Sequence, residues 1–311
     1  MRFKRYYKFW LALIVFAVFA SAQVSIGKRN AVASGPESKL FDAGQLLRDV
    51  EVLSADDMEG RSADRPSMQK ARDYVDKRFR ESGLRPTRQE FEIKQRGPVL
   101  KGVNFVGQIK GSKDPDKYII ITAHYDHVGM NRGEIYNGAD DNASGTAALF
   151  AIASYFKKNP PGRSLIFAAF DAEEKGLDGA RYFVSNLPVK KESILLNVNM
   201  DMISRNDKGE LYAAGTFHYP QLKAPLEAVQ KKAGVKLLFG HDDPKLGHDD
   251  WTGQSDHAAF HREKIPFIYF GVEDHKDYHH PTDDFANIQP EFFVRAVETI
   301  IDTAKAFDAI K

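Results

Sequence analysis

The chain has no cysteine. That excludes a disulfide framework, a thiol nucleophile and every zinc site built on thiolates, so any metal must be held by His, Asp and Glu. It also lacks a His-Glu-x-x-His helix, a Gly-x-Ser-x-Gly elbow and a phosphate-binding loop, which removes three common routes to a hydrolase or nucleotide site. Ser255-Asp256-His257 is not a triad, because three consecutive residues cannot hand a proton along in order. No apolar stretch of membrane-spanning length follows Ala20, and there is no like-charge block, internal repeat or low-complexity segment.

What is present is ordinary globular composition: 311 residues, 42% hydrophobic and 28% charged, enough for one large α/β domain with a core of its own. Arg2, Lys4, Arg5 and Lys8 make a basic start. An apolar run follows over 9–20, and then Ala20-Ser21-Ala22. The run is short for a bilayer span, which takes about 20 residues, so it reads as a cleaved secretory signal ending near Ala22, with an uncleaved anchor as the alternative. The expected organisation is a signal over 1–22, a polar lead-in over 23–40 and a single catalytic domain over 41–311. The expected location is periplasmic or secreted, off the membrane once the signal is removed. Removing the signal takes away four basic residues and no acidic one, so the formal charge goes from +1 to −3. A mildly acidic body argues against nucleic acid as a partner.

Helical periodicity predicts helices over 43–53 and 67–82, the second entered through Asp64-Arg65-Pro66 and stopped by Gly83. Strands are expected over 89–93 and 103–109. Beyond them the pattern alternates: strands over 118–123, 165–170, 194–198 and 267–270, and helices over 144–156, 177–186, 221–233 and 290–310. Strands apolar on both faces and separated by helices imply a three-layer α/β/α fold around a mixed, mostly parallel sheet.

Three buried strands run into metal-binding residue types: His124-Tyr125-Asp126-His127, Asp171-Ala172-Glu173-Glu174 and Asn199-Met200-Asp201. Ligands of open α/β sheets bind at the carboxyl ends of parallel strands, so these segments should converge. A further acidic cluster, Asp140-Asp141-Asn142-Ala143-Ser144, sits at the mouth of the helix over 144–156, where it would also serve as an N-cap. Tyr278-His279-His280-Pro281-Thr282-Asp283 follows the strand over 267–270. Two His and three carboxylates suit zinc, and a pair of metals needs a carboxylate able to bridge them. His124 and Asp126, two apart in an extended segment, would point the same way, letting the carboxylate hold the ring's free nitrogen. Glu173 and Glu174 point differently, so one can bind metal while the other takes a proton. Asn142-Ala143-Ser144 matches the N-glycosylation pattern and reads as a chance match inside a buried motif.

As an ordered set these motifs resemble the M28 zinc aminopeptidases over nearly the whole chain after the signal. Leu53-Ser54-Ala55-Asp56-Asp57-Met58-Glu59-Gly60-Arg61 looks like that family's N-terminal segment, and Gln254-Ser255-Asp256-His257 and Tyr278-His279-His280-Pro281 complete the series. The resemblance implies two zinc ions, His124 and Asp201 on one, Glu174 and His279 on the other, and Asp141 bridging. It implies Glu173 as general base, Asp126 orienting His124, and Tyr278 either donating to the oxyanion or simply packing. His280 falls at the family's variable position. His257 would shape the pocket, while His127 and His275 read as structural or rim residues. Trp251 and Phe260 either line a specificity pocket or pack. The implied substrates are peptides or proteins with a free N-terminus. The alternatives are a single-zinc glutaminyl-cyclase-like acyltransferase, a carboxypeptidase-type or dipeptidase member, and a catalytically dead binding ectodomain.

Overall fold

The computed structural model describes residues 35–94 and 98–310. The expected signal over 1–22 and most of the expected lead-in fall outside the described residues. Among the described residues no helix is long and apolar enough to cross a membrane.

Two helices come first, α1 (Ala43–Leu53) and α2 (Met68–Glu81). Asp42 caps α1 by accepting from the Gln45 amide at 2.8 Å. Strands β1 (Thr87–Ile93), β2 (Leu100–Ile109) and β3 (Asp114–His124) follow, then a small hairpin of β4 (Gly129–Asn131) and β5 (Glu134–Tyr136). Next come α3 (Gly145–Lys158), β6 (Arg163–Phe170), α4 (Asp178–Ser185), β7 (Ile194–Met200), β8 (Glu210–Ala214) and α5 (Lys223–Gln230). The chain ends with β9 (Lys236–Phe239), α6 (His257–Arg262), β10 (Phe267–Gly271) and α7 (Pro290–Asp308).

Eight strands form one mixed sheet in the order β1-β2-β6-β3-β7-β10-β8-β9. Its four central strands, β6, β3, β7 and β10, are mutually parallel, and the antiparallel pairings lie to either side. The centre is apolar on both faces because helices cover both. Ile119, Ile121, Leu165 and Phe167 face a core shared with α1, α2, α3, α5 and α7. Ile120, Ile166 and Phe170 face the opposite core, with Phe183 of α4 and Phe260 of α6. Alternate residues of one strand serve opposite cores, as the period of two requires. The expected three-layer α/β/α fold with a mostly parallel mixed sheet is the one found.

The differences lie at the sheet's edge and among short elements. The β4–β5 hairpin, β8, β9 and α6 were not expected from the sequence. Each is short or only partly apolar, too little for periodicity to register. The helix expected over 221–233 is confined to Lys223–Gln230 and entered through a tight turn at Pro220–Leu222.

The parallel centre positions the site. β3, β6 and β7 end side by side, at His124, Phe170 and Met200, so the residues that follow leave the sheet at one edge. Three non-glycine residues in this region hold positive φ: Ala172 at 60°, Met202 at 57° and His279 at 53°. They adjoin Glu173, adjoin Asp201, or are themselves a site residue. Such backbone is costly for an L residue and collects where a side chain must be aimed.

Candidate metal centre

His124 ends β3 with its ring buried. Nε2 lies 3.2 Å from Asp201 Oδ1 and 3.5 Å from Asp141 Oδ1. Nδ1 donates to the backbone carbonyl of Asp126 at 3.2 Å, which orients the ring with Nε2 toward the carboxylates of Asp201 and Asp141.

The carboxylate of Asp126 has two sets of neighbours. It stands 3.6 Å from His124 Nδ1 and also accepts from the amides of Glu173 and Glu174, at 3.0 and 3.3 Å. The i, i+2 spacing brings the Asp126 carboxylate beside the His124 ring, within ion-pair reach, where it adds to the groups that favour the protonated ring. Asp126 thus ties the end of β3 to the pair of glutamates beyond β6.

Asp141 sits in the turn Ala139–Ser144 that leads into α3. Its Oδ1 faces His124, and its Oδ2 lies 3.1 Å from His279 Nε2 and 3.7 Å from His127 Nδ1. Glu174 Oε1 is 2.9 Å from His127 Nδ1 and 3.4 Å from His279 Nε2. Two groups of candidate metal ligands result, His124, Asp141 and Asp201 in one and His127, Asp141 and Glu174 in the other, with His279 beside the second. In a tetrahedral zinc site with bonds of about 2.0–2.2 Å, ligand atoms lie roughly 3.3 Å apart. The donor set therefore fits zinc in chemistry and in spacing.

The turn that carries Asp141 is held from several directions. Asp283 accepts from the amides of Asp140 and Asp141. Asp140 accepts from the amide and hydroxyl of Ser204, both at 2.7 Å, and its other oxygen lies 3.1 Å from His275 Nε2. Asn142 donates to the Met200 carbonyl and accepts from the Gly145 amide at the start of α3. Capping and site-building thus coexist here: Asn142 closes the helix end while Asp141 faces the cluster. Asn142 is fully buried, which bars glycosylation of the folded chain. Beneath the turn lies Arg61, also fully buried, donating to the carbonyls of Leu53, Tyr125, Asn137 and Gly138. Burial lowers its pKa to about 10 against the pull of Asp141, Asp283, Asp126 and Glu174, so it remains a cation under the carboxylates.

Electrostatics separate the adjacent glutamates. Burial drives the Glu173 carboxyl well above the usual range, helped by Asp256, Asp201 and Glu174 and opposed by His124. Burial acts on Glu174 in the same sense, but His127 and His279 outweigh it and hold that carboxyl below the usual range. Neighbouring carboxyls pushed apart in this way suit a proton acceptor and an ionised ligand. For His124 burial works against protonation, yet Asp201 and Glu173 prevail and raise it well above an ordinary imidazole. His279, likewise against burial, is raised to about 10 by Asp141 and Glu174.

These groups open into a cleft of about 390 Å³, lined on the acidic side by Asp141, Glu173, Glu174 and Asp201 and elsewhere by Trp251, Tyr269 and Tyr278. Tyr278 stacks on His279 with ring centroids 4.0 Å apart, and burial raises its phenol, with Asp141, Asp201 and Glu174 acting in the same direction. It stays a hydrogen-bond donor. Trp251 lines the cleft and stacks on His241 at 3.7 Å, while His257 Nε2 lies 2.9 Å from the Trp251 carbonyl. Phe260 instead packs between Phe170 and Phe183 in the core. Of the two aromatics left open by the sequence, one is wall and the other is packing. His280 is exposed and approaches the carbonyl of Tyr278, leaving His279 as the histidine that reaches the cluster.

Two further residues stand at the cluster. His127, read as structural or rim, is fully buried against Asp141 and Glu174. Asp256 is a buried carboxylate with no hydrogen bond to either oxygen among the described residues. Its pKa is raised to about 8 by burial, with Asp126 and Asp201 adding to the rise and His124 opposing it. The only signal for His127 was its place three residues after His124.

The sequence signature of peptidase family M28 matches residues 104–304, a span that carries every candidate ligand. The chain belongs to peptidase family M28. Among named relatives of this M28 chain, aminopeptidase YwaD of Bacillus subtilis is 32% identical over 65% of this chain and 43% of its own. Leupeptin-inactivating enzyme 1 of Streptomyces exfoliatus is 27% identical over 82% of this chain and 55% of its own. The chain thus spans about half the length of these relatives. Among solved structures, a zinc aminopeptidase from Bacillus subtilis superposes with a TM-score of 0.71 at 18% identity, over 86% of this chain and 96% of that one. Porphyromonas gingivalis glutaminyl cyclase gives 0.71 at 19% identity, over 86% and 99%. At such identities the M28 chain shares a fold with both and nothing more specific.

Proposed function

We propose that this chain is a two-zinc exopeptidase that removes N-terminal residues from peptides, with Glu173 as general base. The observation that carries it is the posture of Asp141, one carboxylate oxygen toward His124 and the other toward His279 and Glu174's group. A carboxylate placed so is the bridge that a pair of metals requires. His124, Asp141 and Asp201 would hold one ion, and Asp141, Glu174 and His279 the other. Zinc bound there would lower the pKa of water toward neutrality and polarise a carbonyl.

The chain's own groups supply the rest. Glu173, its carboxyl raised by burial and by Asp256, takes a proton from the attacking water at a carboxylate oxygen and returns it to the departing amine. Asp126, gripping the amides of Glu173 and Glu174, keeps base and ligand in register. The Tyr278 hydroxyl, at the cleft wall, donates to the developing oxyanion. The acidic wall receives the free α-amine of the substrate, and Trp251 bounds the side-chain pocket. The basic, apolar and small-residue succession over 1–22 supports export.

Glutaminyl cyclases share the fold as closely as aminopeptidases do, so the fold does not separate the two activities. Asp141 facing two ligand groups favours hydrolysis. The test is zinc per chain together with turnover of an aminoacyl-nitroanilide panel, with and without chelator, and of Gln-initiated peptides. Two zinc ions and chelator-sensitive release of nitroaniline are expected. One zinc with cyclisation of Gln-peptides would establish the other activity, and no zinc at all would leave a binding ectodomain.

A further inference from the structure

We propose that His127 is a fourth protein ligand at the second metal position, which makes that position closed and leaves the position at His124 as the open one. This rests on the two-metal reading above.

The His127 side chain is fully buried. Its Nδ1 lies 2.9 Å from Glu174 Oε1 and 3.7 Å from Asp141 Oδ2. The 2.9 Å approach lacks hydrogen-bond alignment: among the described residues neither Nδ1 nor Glu174 Oε1 has a hydrogen-bond partner. A buried imidazole nitrogen and a buried carboxylate oxygen left unpaired side by side are costly, unless both serve a third body. His279 reaches the same two carboxylates from outside, with Nε2 at 3.1 and 3.4 Å from them. The two rings stand at 64° with centroids 5.8 Å apart. The four contact distances scatter around the roughly 3.3 Å edge of a tetrahedral zinc site.

The backbone makes room for this ring. Gly138 holds φ at 59°, and a Cβ there would fall 2.5 Å from Cγ and Cδ2 of His127. The glycine lets the turn carrying Asp141 close over the imidazole. Steric enclosure thus fixes the ring in the place of the usual partner on the second nitrogen.

The consequence is an asymmetric pair. His127, His279, Glu174 and Asp141 fill four positions, the number typical of a closed structural zinc site. His124, Asp201 and Asp141 fill three and keep a place for water or substrate, as catalytic sites do. Substrate would engage at the His124 side of the cleft.

The ligating atom provides the test. His124 and His279 present Nε2 to the carboxylates, whereas His127 presents Nδ1. Full-length protein loaded with ¹¹³Cd is examined by heteronuclear NMR for histidine rings scalar-coupled to cadmium. Three coupled rings are expected, one of them through Nδ1. Two cadmium ions with only two coupled rings, both through Nε2, overturn the proposal while leaving the two-metal reading intact. Failure to bind two metals sinks that reading and this inference together. In parallel, zinc affinities of wild type and His127→Gln are measured by chelator competition. A loss at one position of more than about a hundred-fold, beyond the 10–100-fold cost of removing an outer partner, supports ligation, and unchanged affinities refute it. Should the variant not fold, the cadmium couplings of the wild type decide alone.

Discussion

Asp283 accepts hydrogen bonds from two consecutive amides, those of Asp140 at 2.9 Å and Asp141 at 3.0 Å. One buried carboxylate, arriving from the segment after β10, thereby sets the backbone of the residue that faces both ligand groups. Aiming Asp141 is left to a side chain some 140 positions away in sequence.

Asp283→Asn tests that dependence. An amide side chain keeps one acceptor oxygen but turns its NH₂ toward an amide hydrogen. Stability is expected to fall by about 1–3 kcal/mol, the cost of a buried donor left unmade. Zinc affinity should drop about ten-fold or more as Asp141 loses its fixed backbone. Urea denaturation and chelator competition measure the two, and unchanged zinc affinity would sink the positioning role.

Glu173→Gln separates base from ligand. The side chain keeps its size but can no longer accept a proton, so turnover should fall by about 10²–10⁴-fold. Zinc content should be unchanged, because Glu174 and not Glu173 stands with the imidazoles. A variant that retains near wild-type turnover assigns the base elsewhere.

Zinc uptake should release protons. Asp201 and Glu173 raise His124, and Asp141 and Glu174 raise His279 to about 10, in each case against burial. At neutral pH both rings are therefore protonated in the metal-free chain and must lose that proton to ligate. Apparent zinc affinity should rise with pH from 7 toward 10. Calorimetry in buffers of different ionisation enthalpy checks this, and the absence of any buffer-dependent heat would count against it.

Asp256 should impose a pH-dependent cost on the metal-free fold. Burial, with Asp126 and Asp201, raises its pKa from 3.8 to about 8. Between those values the folded state holds a proton that the unfolded state has released, so stability declines as pH rises through that window. Asp256→Asn removes the group that titrates. Its melting temperature relative to wild type, with chelator present, should be more favourable at pH 8 than at pH 5. An equal difference at the two pH values would falsify the assignment.

Much of the fold was legible because buried parallel strands must be apolar on both faces. The second half of β3 and most of β6 read as apolar runs, and the candidate site lies at their carboxyl ends. The edge strands β8 and β9 and the six-residue α6 were not legible, since their burial depends on neighbours supplied from elsewhere in the chain.

At the candidate site, reading along the chain is enough to name the residue types available and the strand ends at which they emerge. Without cysteine, a metal had to fall to His, Asp and Glu. His124, Asp126, Asp141, Glu173, Glu174, Asp201, Tyr278 and His279 could all be named on that basis and on the ordered motifs. Where each side chain points depends on contacts made after folding. The carboxylate of Asp126, two residues after His124, stands beside that ring and also grips the amides of Glu173 and Glu174, which arrive from the end of β6. Trp251 became wall and Phe260 core. His127, indistinguishable in sequence from a rim residue, is turned inward beneath Gly138. Residue type is written along the chain, but direction follows from where the backbone turns and what packs against it, and those partners come from distant segments.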